Sequence, residues 1–317
     1  MLPDFPEMRP LSISDGPIIQ SFYRDKSGCS DHEFGSLLSW NYSGRTRISQ
    51  LLGNLVVSMA DYASPSDILT VAGSHRAADT AALIFSAKRQ LGQEMIIRMV
   101  PSDFVDSLPA GPFHVEPDRD NFDYIISAAK LSRMEGREFY QARRLGQRFE
   151  RVSELNIESY CAVDNAVREE ILSLCDEWKL QKSKQEDDLG YRHERIAIDR
   201  CLKNLESIQA TVYVARIGKA LAAFWIVGRV SQTKAISHFE KSRTWVYPGL
   251  VQVLKREVAG ILDASGVSEI NLEQDLGIDG LRRSKTSYVH LTFFPCNSLE
   301  GGIEHGTIIY GGEAAAA

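Results

Sequence analysis

Residues 211–230 constrain the fold more than any other stretch of this chain. Two apolar runs, 211–217 and 220–230, flank Gly218-Lys219 in the pattern of a tight β-hairpin. A third run follows at 235–240. From about Gly249 the apolar residues Leu250, Val253, Leu254, Val258, Ile261 and Leu262 recur at helical spacing until Gly266. A strand at 268–272, a short helix at 278–284 and a strand at 288–294 complete the series. This order predicts an α+β arrangement with helices packed on a mixed, mostly antiparallel sheet.

The N-terminal part reads less sharply. Ser30 and Glu33 have the spacing of a capping box, ahead of a helix whose apolar face holds Phe34, Leu37 and Leu38. Runs near 48–57 and 68–72 suggest strands, 74–91 a helix, 95–100 a strand, and 123–126 another strand. Residues 133–151 form a basic helix carrying Arg133, Arg137, Arg143, Arg144, Arg148 and Arg151, anchored by Phe139, Tyr140 and Phe149. Residues 157–205 read as helical, broken by a polar loop at 182–190. The tail at 311–317, two glycines, a glutamate and four alanines, is expected to be disordered.

Composition narrows the class of protein. With 317 residues, 44% hydrophobic and 25% charged, the chain is ordinary for a soluble globular protein of two modest domains or one large one. It has no apolar run near the roughly 20 residues a membrane-spanning helix needs. Its first residues lack the pattern of a signal peptide, so a cytoplasmic location is expected. Cys29, Cys161, Cys175, Cys201 and Cys296 are odd in number and form no CxxC pair, which predicts free thiols. The histidines show no HxH or HExxH spacing, so no metal site is expected. A net charge of −6 excludes indiscriminate attraction of polyanions, yet the local arginine stripe suits phosphate.

The chemistry concentrates at strand ends. His238-Phe239-Glu240-Lys241 closes one strand, and Asn271-Leu272-Glu273-Gln274-Asp275-Leu276-Gly277 closes another. Leu281-Arg282-Arg283-Ser284-Lys285-Thr286-Ser287-Tyr288 then adds a basic cluster. Carboxylates at the ends of core strands are paired or used. On a strand, Glu240 and Lys241 face opposite ways, whereas Glu273 and Asp275 share a face. The structural alternative is an ion-pair network joining Glu273 and Asp275 to Arg282 and Lys285. His238 on its own reads more simply as a hydrogen-bonded core histidine.

Taken together, these motifs resemble the family related to the C-terminal domain of bacterial phosphatidylglycerol lysyltransferase, built on the GNAT acyltransferase fold. The match extends to Ser30-Asp31 with Phe34, to Asp118-Arg119 with Asp123-Tyr124, and to residues 136–149, so it covers most of the chain. Where the family's basic helix usually reads Lys-Arg-Asn, this chain has Ala142-Arg143-Arg144. Enzymes of this fold that use acetyl-CoA open their central helix with a glycine-rich loop whose N–H groups cradle a pyrophosphate. Here residues 246–252 contain a single glycine, Gly249.

The resemblance implies two tandem GNAT-like halves, 1–152 and 153–310, each a mixed, mostly antiparallel sheet flanked by helices, with the active site in the second. It also implies an acyl-group transferase that takes an aminoacyl group from aminoacyl-tRNA to an amine or hydroxyl on a small-molecule, peptide or lipid acceptor. An aminoacyl ester is already activated, so no cofactor or metal is needed; the protein positions the ester, removes a proton and stabilises an oxyanion. Glu240 or Glu273 would handle the acceptor's proton, and Tyr288 would donate to the leaving oxygen. Asp275 would bind the donor's α-ammonium. Lys241, Arg282 and Lys285 would hold phosphate or polarise the carbonyl, with Asn271 and Arg119 also contacting substrate. Arg137, Arg143, Arg144 and Arg148 would bind tRNA. The alternatives are an acyl-CoA-dependent N-acyltransferase and a non-catalytic ligand-binding protein of the same fold.

Overall fold

The computed structural model describes residues 1–23, 29–60, 67–94, 96–151, 154–181, 188–287 and 292–301. The first half comprises β1 (Arg9–Pro10), α1 (Gly16–Tyr23), α2 (Phe34–Trp40), β2 (Arg47–Leu51), β3 (Asn54–Ala60), β4 (Asp67–Ala72), α3 (Ala77–Gln90), β5 (Ile96–Pro101), α4 (Ser102–Asp106), β6 (Phe113–Pro117), β7 (Asp123–Ser127), α5 (Ala128–Arg133) and α6 (Tyr140–Glu150). The second comprises β8 (Asn156–Tyr160), α7 (Asn165–Gln181), α8 (Asp188–Lys203), β9 (Ala210–Ile217), β10 (Ala220–Arg229), β11 (Lys234–Ser242), α9 (Leu250–Ala264), β12 (Glu269–Asn271), α10 (Asp279–Thr286), β13 (Thr292–Phe294) and β14 (Cys296–Gly301).

The hairpin expected at Gly218 is present as β9–β10, with Gly218 at φ +60°. It lies in a seven-stranded sheet of order β13-β7-β12-β11-β10-β9-β8. Within that sheet β11 and β12 run parallel, joined by α9, and the other pairs are antiparallel. This is the α+β, GNAT-like arrangement, and both sheet faces are covered. One face packs Phe224, Ile226 and Phe239 with α2, α7 and α8. The other packs Trp225, Val227 and Ala235 with α5, α6 and α9. A third core lies between the strands of the first half and α3.

The sheets reach across the boundary expected near residue 152. β7, from the first half, sits between β12 and β13, while β14, from the second, sits between β5 and β6. The two halves therefore share strands. The tail at 311–317 lies outside the described residues, as does most of the loop expected at 182–190.

Four local expectations are corrected. The basic segment expected as one helix over 133–151 is broken: α5 ends at Arg133, Met134 turns left-handed at φ +48°, and α6 starts at Tyr140. The segment read as helical from residue 157 begins with the edge strand β8, whose residues are half-buried or exposed on both faces and so carry little periodic signal. Ile261, placed on the buried side of α9, is 49% exposed because that flank of the helix is not covered. Cys29 and Cys296 are not free thiols: they form a disulfide with a Cα–Cα distance of 6.2 Å. They lie 267 residues apart and meet only because β14 is inserted beside β5, so no spacing in the sequence reports the pair. Among the described residues, Cys161, Cys175 and Cys201 are free. No helix of the described residues is long and apolar enough to cross a membrane.

Two glycines set how α6 meets α9. Gly146 is buried against Val253, and a Cβ at Gly249 would run into the Leu145 carbonyl. Gly249 also has φ +98°, a region that favours glycine. Gly249→Ala combines a backbone clash with a left-handed conformation and is expected to cost about 2–4 kcal/mol in urea unfolding. A loss below about 0.5 kcal/mol would show that the α6–α9 contact is looser than described.

Candidate active site

The site is organised by an irregularity in the central sheet. Across β10 and β11, Ile226 pairs with Phe239 and Val227 with Ser237, so His238 is an extra residue, a β-bulge. Strict alternation would put His238 and Glu240 on one face. The bulge separates them: Ser237 accepts a hydrogen bond from Trp225 Nε1 (2.7 Å) and Glu240 pairs with Lys255 of α9 (2.9 Å). His238 faces the start of α2 instead.

At that helix start, Glu33 is the N-cap, its Oε2 accepting from Ser36 N at 3.0 Å. The capping box expected from Ser30 is not formed, because Ser30 turns to a deeper partner. Its N–H and its hydroxyl both donate to the Asp123 carboxylate, each at 2.7 Å. Asn271 Nδ2 donates to the same carboxylate at 2.9 Å, while Asn271 Oδ1 accepts from Glu273 N at 2.7 Å. Asp123 thus ties β7, the turn before α2 and the end of β12 together.

Glu273 is delivered from the other side. Its φ is +59° and that of Leu276 is +53°, so residues 273–277 turn sharply rather than continuing the strand. That turn overrules the expectation that Glu273 and Asp275 share a face. Ser36 Oγ donates to Glu273 Oε1 at 3.2 Å, and His238 Nδ1 lies 3.7 Å from the same oxygen. His238 Nε2 lies 3.7 Å from Glu33 Oε2. Half-buried Asp31 receives a hydrogen bond from Gln274 Nε2. A cavity of about 10 Å³, room for about one water, is lined in part by Asp31, Ser36, Trp40 and Met59.

Burial makes the carboxyls of Asp31, Glu33 and Asp123 reluctant to ionise. Burial first, then the Asp123 and Glu273 charges, pushes Asp31 up to about 7. Burial raises Asp123 to about 6 against the pull of Asn271 and Ser30. Glu33 is also raised, by burial that outweighs the attraction of His238. Asp31, Glu33, Asp123 and Glu273 thus form an acidic cluster in which Ser30, Ser36 and Gln274 are hydrogen-bond donors. Such a cluster favours positive charge, which His238 supplies beside Glu33 and Glu273 but not beside Asp31.

Asp275 has a different part. It is fully buried and accepts from Arg282 Nε (2.9 Å) and Nη2 (2.8 Å), from Arg119 (3.3 Å), from the Tyr124 hydroxyl and from Gly277 N (2.9 Å). Burial would raise it, but the Arg282 and Tyr124 hydrogen bonds hold it down to about 2. This saturated carboxylate braces the turn, and the ion-pair reading describes it better than capture of a substrate ammonium. Lys285 braces it too, donating to the Leu272 and Gln274 carbonyls at 2.5 Å each, with burial lowering it to about 8.

The remaining expected residues scatter. Glu240 lies on the α9 face, away from the His238 side. Lys241 pairs with Glu194 of α8 (2.6 Å) and stacks over Trp178, so it closes a helix contact. Arg137, Arg144 and Arg148 are exposed on or beside α6, whereas Arg143 donates to the carbonyls of Met134 and Gly136. Tyr288 lies outside the described residues. Among the described residues no group of His, Cys, Asp and Glu could hold a metal. Sequence reasoning misses Asp31, Glu33, Ser36 and Asp123 as site residues, since they come from the other half of the chain. For Asp31 and Glu33 the signal that could have found them is a polar run just before an apolar helix; Asp123, on β7, has no such mark.

Comparisons with known proteins agree with this architecture. The sequence profile of the phosphatidylglycerol lysyltransferase C-terminal family matches residues 26–289. A conserved protein of unknown function from Bacteroides thetaiotaomicron superposes with a TM-score of 0.79 at 23% identity, covering 95% of this chain and 100% of that one. L-PGS from Bacillus licheniformis gives 0.60 at 13% identity, covering 90% and 92%. FemX gives 0.56 at 10% identity, covering 93% and 97%. At these identities the likeness concerns the fold. No curated protein sequence matches the chain.

The acidic pocket has a cost that pH exposes. Asp31 has a folded value of about 7 against an ordinary 3.8, so its ionised form opposes folding above pH 7. That cost is relieved as pH falls from about 7 towards 4. Asp31→Asn should therefore raise the melting temperature at pH 8 by roughly 2–5 °C, and the gain should vanish by about pH 4. Thermal melts across that range check it; a lowered melting temperature at about pH 8 would mean the charge is compensated.

Proposed function

The chain belongs to the phosphatidylglycerol lysyltransferase C-terminal family, a family of acyltransferases, and from that membership we propose that it transfers an aminoacyl group from aminoacyl-tRNA to an amine or hydroxyl acceptor. The observation that carries this reading is the acidic cluster of Asp31, Glu33, Asp123 and Glu273, of which Asp31 lines a small cavity. An aminoacyl ester presents an α-ammonium next to its reactive carbonyl, and a simple acyl thioester does not.

In this reading Asp31 receives the ammonium and the partly exposed Glu273 acts as the base. The acceptor nitrogen or oxygen attacks the ester carbonyl carbon as Glu273 takes its proton. The tetrahedral intermediate then expels the tRNA ribose oxygen, which recovers that proton from Glu273. Bonds and charges balance without a cofactor. Arg137, Arg144 and Arg148 supply positive charge for the tRNA backbone.

The acyl-CoA alternative is weakened by the packing of α6. A pyrophosphate would sit at the N-terminus of α9, where the Leu145 carbonyl already abuts Gly249. To test the choice of donor, the protein is given a pool of charged tRNAs, or acetyl-CoA, with candidate amines. Amine-dependent deacylation of one aminoacyl-tRNA, with Glu273→Gln lowering turnover roughly 10²–10⁴-fold and leaving tRNA binding intact, is the expected result. Amine-dependent thiol release from acetyl-CoA with no tRNA deacylation would overturn it.

A further inference from the structure

We infer that His238 is a positioning residue for Glu273, an imidazole strut set between Glu33 and Glu273 that fixes the base for transfer. The inference rests on the aminoacyl-transfer reading for its consequence, but its geometry stands apart. His238 is the bulge residue of β11, and bulges re-aim a side chain at the expense of a regular ladder.

The protein also leaves room for the ring. A Cβ at Gly228 would lie 2.5 Å from His238 Nε2, and one at Gly35 would lie 2.9 Å from the same atom. Neither glycine has the positive φ that would itself call for glycine. Two strand and helix positions thus forgo a side chain where the imidazole sits. Nε2 makes no hydrogen bond, although it is buried and 3.7 Å from Glu33 Oε2. Such an atom is costly unless it serves a charge interaction.

The ring's surroundings are acidic on several sides. Glu33 faces it from the start of α2 and Glu273 from the turn after β12. Ser36 Oγ lies 3.5 Å from Nδ1 and also donates to Glu273, linking the two. Further out, Tyr23 of α1 and Cys201 of α8 feel both carboxyls, and Asp31 and Asp123 feel Glu273. Burial opposes protonation of the imidazole, but Glu273 and Glu33 outweigh it and raise it above its ordinary value. A cationic ring between the two side chains then holds both by charge attraction.

Two measurements test this. In ¹⁵N-histidine-labelled protein, with His238→Gln assigning the resonance, His238 should titrate above 6.5, and Glu33→Gln and Glu273→Gln should each lower that value. In transfer assays, His238→Gln should lower kcat roughly 10–100-fold with an unchanged KM for the donor. Titration of His238 below 6.5 in the wild type, or an unchanged kcat in the variant, would overturn the inference. The NMR arm decides it whether or not transfer is found. Absence of transfer with every donor, beside the expected titrations, would sink the aminoacyl reading and leave the strut standing.

Discussion

The buried carboxylate of Asp123 is the junction on which the rest of the site depends. It lies on β7, a first-half strand embedded in the seven-stranded sheet, and holds Ser30 on one side and Asn271 on the other. Through Asn271 it fixes the backbone of Glu273; through Ser30 it fixes the turn that precedes Glu33. Removing one member of such a network leaves its partners unsatisfied in the interior, which costs far more than the bond itself contributes.

A division of labour among charges follows. The buried Asp275 is neutralised by arginines and a phenol and serves as a brace, while the carboxyls around His238 are met by neutral donors. Glu273 and Asp275, two residues apart in sequence, therefore sit in opposite electrostatic surroundings. Environment decides the role, and the left-handed turn at Glu273 and Leu276 creates the two environments.

Much of this architecture is legible in the chain. The hairpin, α9 and the parallel strand after it follow from periodicity, because each buries a continuous apolar face. Asn271, Glu273 and Lys285 are legible as a cluster because they lie within one short segment. Alternation separates Glu240 from Lys241 correctly, but the bulge that turns His238 away from Glu240 leaves no local mark in sequence. Asp31, Glu33 and Asp123 are invisible as partners because only tertiary folding brings them to residues more than a hundred positions away. The disulfide is hidden for the same reason.

The exchange of strands between the halves has a consequence for how the chain is made. β5 and β6 emerge early, yet the strand that lies between them, β14, is about 180 residues further on. At a synthesis rate of about 5–20 residues per second, those two edges wait unpaired for roughly 10–40 s. Unpaired edges are templates for wrong partners. The nascent chain therefore has to keep a slot open for its own last described strand, which makes chaperone demand during translation a property of this topology.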